Sequence, residues 1–246
     1  MLEPKEYLCF ALDVPNAEQA ERYVRLLAED IGLFKVGLEL FVKEGPVLIE
    51  AIKTWGAKKI FLDLKLFDIP RTLSRARQAM TGLSVDYVSV HCESLRGRAG
   101  QYHMESGPGL PQMLGVTLLT SLSEADLKLL GYSSRISLAD VILLRAEMAQ
   151  KAGCVGVICS GGETERIRDR FGNDFLILTP GIRPEWAKVE SEDQSRVFTP
   201  YEAIRAGARY IVVGRPIRSA ADPVVAAKKV QEEIARALED SQRGIT

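Results

Sequence analysis

The segment spanning residues 61–72 reads Phe-Leu-Asp-Leu-Lys-Leu-Phe-Asp-Ile-Pro-Arg-Thr. Its first half alternates, with three leucines on one face and with Asp63 and Lys65 on the other, which is the two-residue period of a β-strand. Asp68 follows where the strand should end, and Pro70 marks the first turn of a helix. Buried charge is costly unless it is paired or used. The segment therefore predicts a strand–loop–helix unit with an ion pair near the carboxyl end of its strand, which makes it a candidate site.

The same unit recurs along the chain. Asn16 with Gln19, Ser137 with Asp140, and Thr199 with Glu202 resemble capping boxes, and helices are predicted after them, the first two over 17–29 and 141–151. Apolar runs alternate with such helices, which is typical of parallel strands, and eight runs predict an α/β fold, a single-domain (β/α)8 TIM barrel over residues 1–246. An open doubly wound sheet is the alternative, but no GxGxxG follows the first run. The runs lie at 8–14, 33–38, 59–64, 87–91, 113–120, 155–159, 175–179 and 210–213.

Composition narrows the classes of partner. The net charge of −1 gives no sign of a nucleic-acid partner, and no stretch approaches the roughly 18 apolar residues of a membrane span. The amino terminus lacks a secretory signal pattern, so a cytoplasmic location is expected. Only two histidines and no CxxC spacing occur, which argues against a zinc site. We interpret Cys9, Cys154 and Cys159 as reduced core residues.

Two connections differ from the regular pattern. Residues 92–112 contain six glycines and prolines, which predicts a weak or short helix. Residues 181–198 are long, charged and without periodicity, and they follow the seventh predicted strand. Long loops in compact domains are often lids over a site, although a solvated surface excursion is the alternative.

Polar residues cluster at the predicted strand ends, where barrel enzymes build their sites. Lys35, Asp63, Lys65 and Asp68 would form an array of alternating charge, in which each lysine stays protonated beside a carboxylate. Such an ammonium is a general acid and can stabilise a developing carbanion. A purely structural ion-pair network is the alternative, and Schiff-base chemistry by Lys65 is disfavoured because a charged amine is a poor nucleophile.

The eighth predicted strand ends in Gly214 and Arg215, which indicates a phosphate site. Barrels usually bind phosphate with the loops after strands seven and eight, glycine allows close backbone approach, and arginine matches phosphate oxygens with a planar fork. Gln194, in the long loop, could close over the same ligand. A structural arginine at the barrel rim is the alternative.

The segment Asp63-Leu-Lys-Leu-Phe-Asp-Ile-Pro-Arg-Thr72 resembles the signature of the orotidine 5′-monophosphate decarboxylase family. The resemblance extends from about residue 7 to 230 and is highly specific in combination. It also rests on Phe10-Ala-Leu-Asp-Val14, Phe34-Lys-Val-Gly-Leu-Glu-Leu-Phe41, Leu119-Thr-Ser121, Thr179-Pro-Gly-Ile-Arg-Pro184, Asp193-Gln-Ser-Arg-Val197 and Val213-Gly-Arg-Pro216, which stand in family order.

This resemblance implies a cofactor-free, metal-free homodimer that converts orotidine 5′-monophosphate to uridine 5′-monophosphate. Lys65 would stabilise charge at the pyrimidine C6 and protonate it, and Asp63 would position Lys65 beside the substrate carboxylate. Asp68, Ile69 and Thr72 would reach into the partner subunit's site. The remaining implied contacts are Asp13 and Lys35 with the ribose, Thr120 and Ser121 with the pyrimidine, Pro180 with the departing carbon dioxide, and Arg183, Gln194, Gly214 and Arg215 with the phosphate.

Two segments depart from the family pattern. Phe67 stands where the family often has histidine, and residues 92–98 replace a small glycine-containing turn after His91. A magnesium-dependent phosphosugar decarboxylase or aldolase of the same superfamily shares the Asp-x-Lys-x-x-Asp core and is the nearest alternative. A non-catalytic nucleotide-binding barrel is the remote alternative, because Lys65 and the aspartates are all present.

Overall fold

In a computed structural model, the chain forms a closed barrel of eight parallel strands. The structure describes residues 2–97, 100–101, 107–187 and 197–243. Each barrel strand pairs with the next along the chain, and the first closes against the last, which confirms the predicted (β/α)8 barrel. The barrel strands are β1 Leu8–Ala11, β2 Leu33–Gly37, β3 Ile60–Leu66, β4 Tyr87–His91, β7 Gln112–Val116, β8 Gly156–Ile158, β9 Leu176–Thr179 and β10 Tyr210–Val213, and β5 Arg96–Gly97 with β6 Gly100–Gln101 forms a separate antiparallel hairpin.

Helices alternate with the barrel strands, and several begin at the predicted caps. Ser137 and Thr199 each form a full capping box with the acidic residue three positions on, whereas Asn16 only accepts a hydrogen bond from the Gln19 amide. The helix predicted over 141–151 begins earlier, directly after its cap, and the one predicted over 17–29 ends two residues sooner. The helices are α1 Ala17–Leu27, α2 Leu38–Glu44, α3 Val47–Thr54, α4 Pro70–Ala79, α5 Glu124–Leu129, α6 Leu138–Lys151, α7 Gly161–Phe171, α8 Pro200–Arg205, α9 Arg215–Arg218 and α10 Pro223–Gln242.

The hydrophobic core has two layers, because strand side chains point alternately into the barrel and out toward the helices. The outer layer is the larger one and packs the strands against the surrounding helices. The inner layer is a compact cluster that includes Leu33, Phe61, Tyr87, Leu114 and Tyr210. Two residues further along β2, β3 and β4, the apolar side chains give way to lysine, aspartate and serine. The apolar inner layer of the barrel therefore ends where the charged residues of the candidate site begin.

The segment 92–112 contains no α-helix in its described part. A 3-10 turn, Cys92–Leu95, leads into the short hairpin of β5 and β6. The turn packs closely because Gly115 of β7 lacks a side chain: a Cβ there would lie 2.7 Å from the Ala149 Cβ and 2.9 Å from the Cys92 Sγ. The many glycines and prolines of this segment explain why its described residues form turns rather than an α-helix.

The long connection after β9 is described at its two ends. Ile182 pairs with Phe198 in an isolated bridge, and residues Glu185–Ala187 form a 3-10 turn. The middle of the predicted lid, including Gln194, lies outside the described residues. All four cysteines are buried with free thiols, as predicted for three of them. Among the helices that the structure describes, none has the length and hydropathy needed to cross a membrane.

Candidate active site

Strand β3 leaves regular geometry at the predicted ion pair. Its register against β4 shifts between Leu62 and Leu66, and Lys65 lies in the left-handed region with φ of 49°. That conformation costs a residue with a Cβ roughly 1–2 kcal/mol. Asp63 and Lys65 do meet, as predicted, but through an irregular strand rather than through simple alternation. Such strain typically persists where surrounding contacts hold it, which is common at functional sites.

Ser89 of β4 holds the irregular backbone in place. Its hydroxyl Oγ accepts a hydrogen bond from the Lys65 amide at 2.8 Å and donates one to Asp63 Oδ1 at 2.8 Å. The side chain is fully buried. Sequence reasoning missed this residue, although the signal was present: Ser89 lies two residues after the inward-facing Tyr87, on the strand next to β3. A small polar residue at an inward position of a buried strand is the pattern to look for.

Four charged side chains form a continuous row at the mouth of the barrel. This row, called the charge chain below, consists of Asp13, Lys35, Asp63 and Lys65. Lys65 Nζ lies 2.7 Å from Asp63 Oδ2, Lys35 Nζ lies 4.0 Å from the same oxygen, and Lys35 Nζ lies 2.9 Å from Asp13 Oδ1. Burial by itself lowers the pKa of Lys35, but the carboxylates of Asp13 and Asp63 outweigh it, so the pKa is raised. Gly37 leaves room for the Lys35 side chain, because a Cβ at position 37 would lie only 3.3 Å from Lys35 Nζ.

Within one subunit, Asp68 does not belong to the charge chain. Its side chain is exposed, and its Oδ1 accepts a hydrogen bond from the Ile69 amide at 2.7 Å. Among the described residues, no lysine or arginine forms an ion pair with Asp68, so within one subunit the array of alternating charge contains Lys35, Asp63 and Lys65 but not Asp68. The backbone turns outward after Leu66 to begin α4 at Pro70, and Asp13 supplies the fourth charge instead.

The charge chain lines a cavity of about 290 Å3 at the carboxyl ends of the strands. The floor of the cavity is the apolar inner layer of the barrel, and Arg183 and Arg215 also line it. The lining residues are Ala11, Asp13, Lys35, Phe61, Asp63, Lys65, Val116, Leu118, Leu119, Thr120, Ile158, Leu178, Pro180, Gly181, Arg183, Val212, Gly214 and Arg215.

Most of the predicted site residues therefore share one cavity. Among the predicted site residues that the structure describes, the exceptions are exposed residues of two segments: Ser121 after β7, and Asp68, Ile69 and Thr72 at the start of α4. Arg183, in contrast, is buried, and its backbone amide donates a hydrogen bond to the Phe198 carbonyl at 2.8 Å. This bond holds the two described ends of the lid segment together beside the cavity.

A second recess lies on the other side of the charge chain. It has a volume of about 220 Å3 and borders the same Asp13, Lys35, Asp63 and Lys65 side chains. Its remaining wall comes from the end of β1 and from the turn between β2 and α2. Lys65 is therefore accessible from two sides. Within the described ranges, no group of three or more His, Cys, Asp and Glu side chains is arranged to hold a metal ion.

A closed parallel barrel with a charged cavity at its strand carboxyl ends defines this chain as a protein of the (β/α)8-barrel enzyme class. The sequence model described as "Orotidine 5′-phosphate decarboxylase / HUMPS family" matches residues 6–230, so the chain belongs to that family.

Individual relatives agree with the family match. A protein named orotidine 5′-phosphate decarboxylase from Desulfosudis oleivorans is 44% identical over 96% of this chain and 95% of its own length. One of the same name from Syntrophus aciditrophicus is 43% identical over 96% of each chain. The crystal structure of orotidine 5′-phosphate decarboxylase from Lactobacillus acidophilus superimposes with a TM-score of 0.75 at 35% identity, covering 92% of this chain and 98% of that one.

Proposed function

We propose that this chain decarboxylates orotidine 5′-monophosphate to uridine 5′-monophosphate in de novo pyrimidine biosynthesis, without metal or organic cofactor. The observation that carries the proposal is the Lys65 ammonium, 2.7 Å from Asp63, in a cavity that also presents Arg183 and Arg215. Family membership and the names of the relatives support the same reaction. Four buried free thiols suit a reducing compartment, which favours the cytoplasm.

Binding would place the phosphate, the ribose and the pyrimidine against different residues of the cavity wall. The phosphate would lie against Arg183, Gly214 and Arg215, since guanidinium forks match phosphate oxygens, with Gln194 closing over it. The ribose hydroxyls would contact Asp13 and Lys35. Thr120, with Ser121 next to it, would face the pyrimidine. Phosphate binding far from the reacting bond then fixes the position of C6 beside Lys65 and contributes to catalysis.

The reaction itself needs one proton donor. The bond between C6 and the carboxylate carbon breaks heterolytically, carbon dioxide leaves along the wall formed by Pro180, and the electron pair stays on C6. The Lys65 ammonium stabilises this negative charge and then transfers a proton to C6, after which the amine regains a proton from solvent. Both oxygens of Asp63 accept hydrogen bonds, from Lys65 and from Ser89, so the carboxylate is suited to holding the ammonium in place.

A homodimer with shared sites accounts for the residues that point outward. Asp68, Ile69 and Thr72 are exposed, and the Ile69 side chain is 66% exposed despite being apolar. The recess beside Lys65 has space for side chains from outside the subunit. We therefore assign Asp68, Ile69 and Thr72 to the site of the partner subunit, where Asp68 would complete the charge chain next to Lys65.

This proposal is tested by measuring the turnover of two substrates, each with and without a metal chelator. Purified protein should consume orotidine 5′-monophosphate at the same rate before and after treatment with EDTA. Activity toward a keto-sugar phosphate that is lost with EDTA and restored by Mg2+ would instead support the phosphosugar alternative. Binding of uridine 5′-monophosphate with no turnover of either substrate would support the nucleotide-binding barrel.

A further inference from the structure

Arg145 is a buried arginine whose role the proposed reaction does not explain. It lies on α6, where its neighbours on the inward face, Ile142, Ala146 and Ala149, are apolar and buried. Its guanidinium donates hydrogen bonds to the Thr117 carbonyl at 2.6 Å and to the Tyr132 hydroxyl at 3.0 Å. A guanidinium in such a place is expensive unless its donors are used, so its partners indicate what it does.

The Thr117 carbonyl marks the point where the chain leaves β7 for the cavity wall. The Thr117 amide and hydroxyl both donate to the Ile158 carbonyl of β8, at 3.2 and 2.9 Å. Arg145 binds the carbonyl of the same residue, which belongs to the following peptide unit. The next three residues, Leu118–Thr120, line the cavity on the side assigned to the pyrimidine. The base-facing wall is therefore anchored by β8 from one side and by α6 from the other.

Glu93 extends the contacts of Arg145 toward the other atypical segment. It forms an ion pair with Arg145, and its Oε2 lies 3.7 Å from His91 Nδ1. Burial raises the pKa of Glu93, but the interactions with His91, the backbone and Arg145 outweigh it, so the pKa is lowered and the group is a carboxylate at neutral pH. The His91 ring in turn packs edge-on against Phe67, with 5.4 Å between ring centroids. Phe67 directly precedes Asp68.

We propose that Arg145 and Glu93 are positioning residues that set the base-facing wall, Leu118–Thr120, and link it through His91 and Phe67 to the segment carrying Asp68. The substrate in this inference rests on the proposed function, whereas the contacts of Arg145 and Glu93 do not depend on it. It also gives Phe67 and the turn after His91 a shared role, since both departures from the family pattern meet at this network.

Two kinds of measurement test the network. Arg145→Met and Glu93→Gln should increase amide hydrogen exchange in peptides covering 117–123, while peptides covering 210–215 at the phosphate end stay unchanged. The same variants should weaken binding of uridine 5′-monophosphate and lower kcat by roughly 10- to 100-fold, because small misplacements of a substrate are amplified in the rate. Binding of ribose 5-phosphate, which lacks the base, should not change. Arg145→Lys should give intermediate binding and kcat, because lysine keeps the positive charge but lacks the planar guanidinium with its several N–H donors.

Controls separate this proposal from a general loss of stability and from failure of the proposed function. Arg25→Met removes an exposed Arg–Glu pair on α1 and should behave as wild type in every measurement. Equal weakening of both ligands, or unchanged exchange over 117–123, would overturn the positioning role. If Arg145→Met does not fold, Glu93→Gln decides by the same criteria. If the wild-type protein does not consume orotidine 5′-monophosphate, the proposed function fails, while the exchange measurement still decides the positioning of the wall.

Discussion

Replacing Lys65 tests both its catalytic role and the cost of its left-handed backbone conformation. Lys65→Ala removes the ammonium but leaves a Cβ in the left-handed backbone, whereas Lys65→Gly removes both. Asp63 keeps two partners in either variant: Ser89 at 2.8 Å and Lys35 at 4.0 Å. The Lys65 side chain is also one-third exposed. We therefore expect both variants to fold.

The loss of activity should be very large. A positioned general acid contributes about 10²–10⁴-fold to a rate, and a preorganised charge at the developing anion contributes about 10²–10³-fold. If these factors multiply, decarboxylation should fall by about 10⁴–10⁷-fold, or roughly 5–10 kcal/mol of transition-state stabilisation. Binding of uridine 5′-monophosphate should persist, since most of the proposed contacts to the ribose and phosphate are unchanged.

The two variants should differ in stability rather than in activity. Glycine adopts positive φ without the clash between Cβ and carbonyl oxygen, although it loses more chain entropy on folding. The net expectation is that Lys65→Gly is more stable than Lys65→Ala by about 1 kcal/mol. For a chain of this length that corresponds to a higher melting temperature by about 2–4 °C.

Steady-state absorbance assays, calorimetric binding and thermal denaturation measure these three quantities. Near-normal turnover by Lys65→Ala would refute the assignment of the proton donor. A Lys65→Gly variant that melts below Lys65→Ala would refute the account of the strained strand, because the Cβ would then not be the source of the cost.

The remaining predictions concern the groups around Lys65. Ser89→Ala removes two buried hydrogen bonds and should lower the free energy of unfolding in urea by about 1–3 kcal/mol; no change would mean that the hydroxyl does not hold β3. Mixing Lys65→Ala with Asp68→Asn should restore up to about a quarter of wild-type activity, because half of a random dimer population carries one intact shared site. No recovery in the assay would argue against sharing. The raised pKa of Lys35 means that its contribution to stability is complete below the ordinary value of 10.5 and is lost as pH rises toward the higher folded value. Lys35→Met should therefore flatten the fall of the urea midpoint above about pH 10, and an equally steep fall would contradict this.

Much of the fold followed from local pattern. The eight apolar runs and the capping boxes at Ser137 and Thr199 depend on residues close together in sequence, so they predicted the order of strands and helices. The position of Gly214 and Arg215 in the cavity wall was also predictable, because they follow a recognisable buried strand. The boundaries were less certain: β7 ends at Val116, and the predicted run extended to residue 120, because Leu118–Thr120 are apolar or small without being part of the sheet.

The features that local pattern missed depend on contacts between distant residues. The positive φ of Lys65 arises from a shift of β3 against β4, and Ser89, 24 residues away, stabilises it. Likewise, the outward position of Asp68 follows from where the chain turns into α4, which a count of charges along the sequence does not reveal. Arg145 lies within a helix, and its partners Thr117 and Glu93 lie on other segments, so the local pattern gives no sign of its contacts.

Metal-independent decarboxylation by Lys65 is tested most directly by the absorbance change of orotidine 5′-monophosphate with EDTA-treated wild-type protein, with Lys65→Ala at the same concentration as the reference. We expect complete, metal-independent conversion to uridine 5′-monophosphate by the wild type and no detectable conversion by the variant over the same time. No conversion by the wild-type protein, or equal conversion by both proteins, would contradict it.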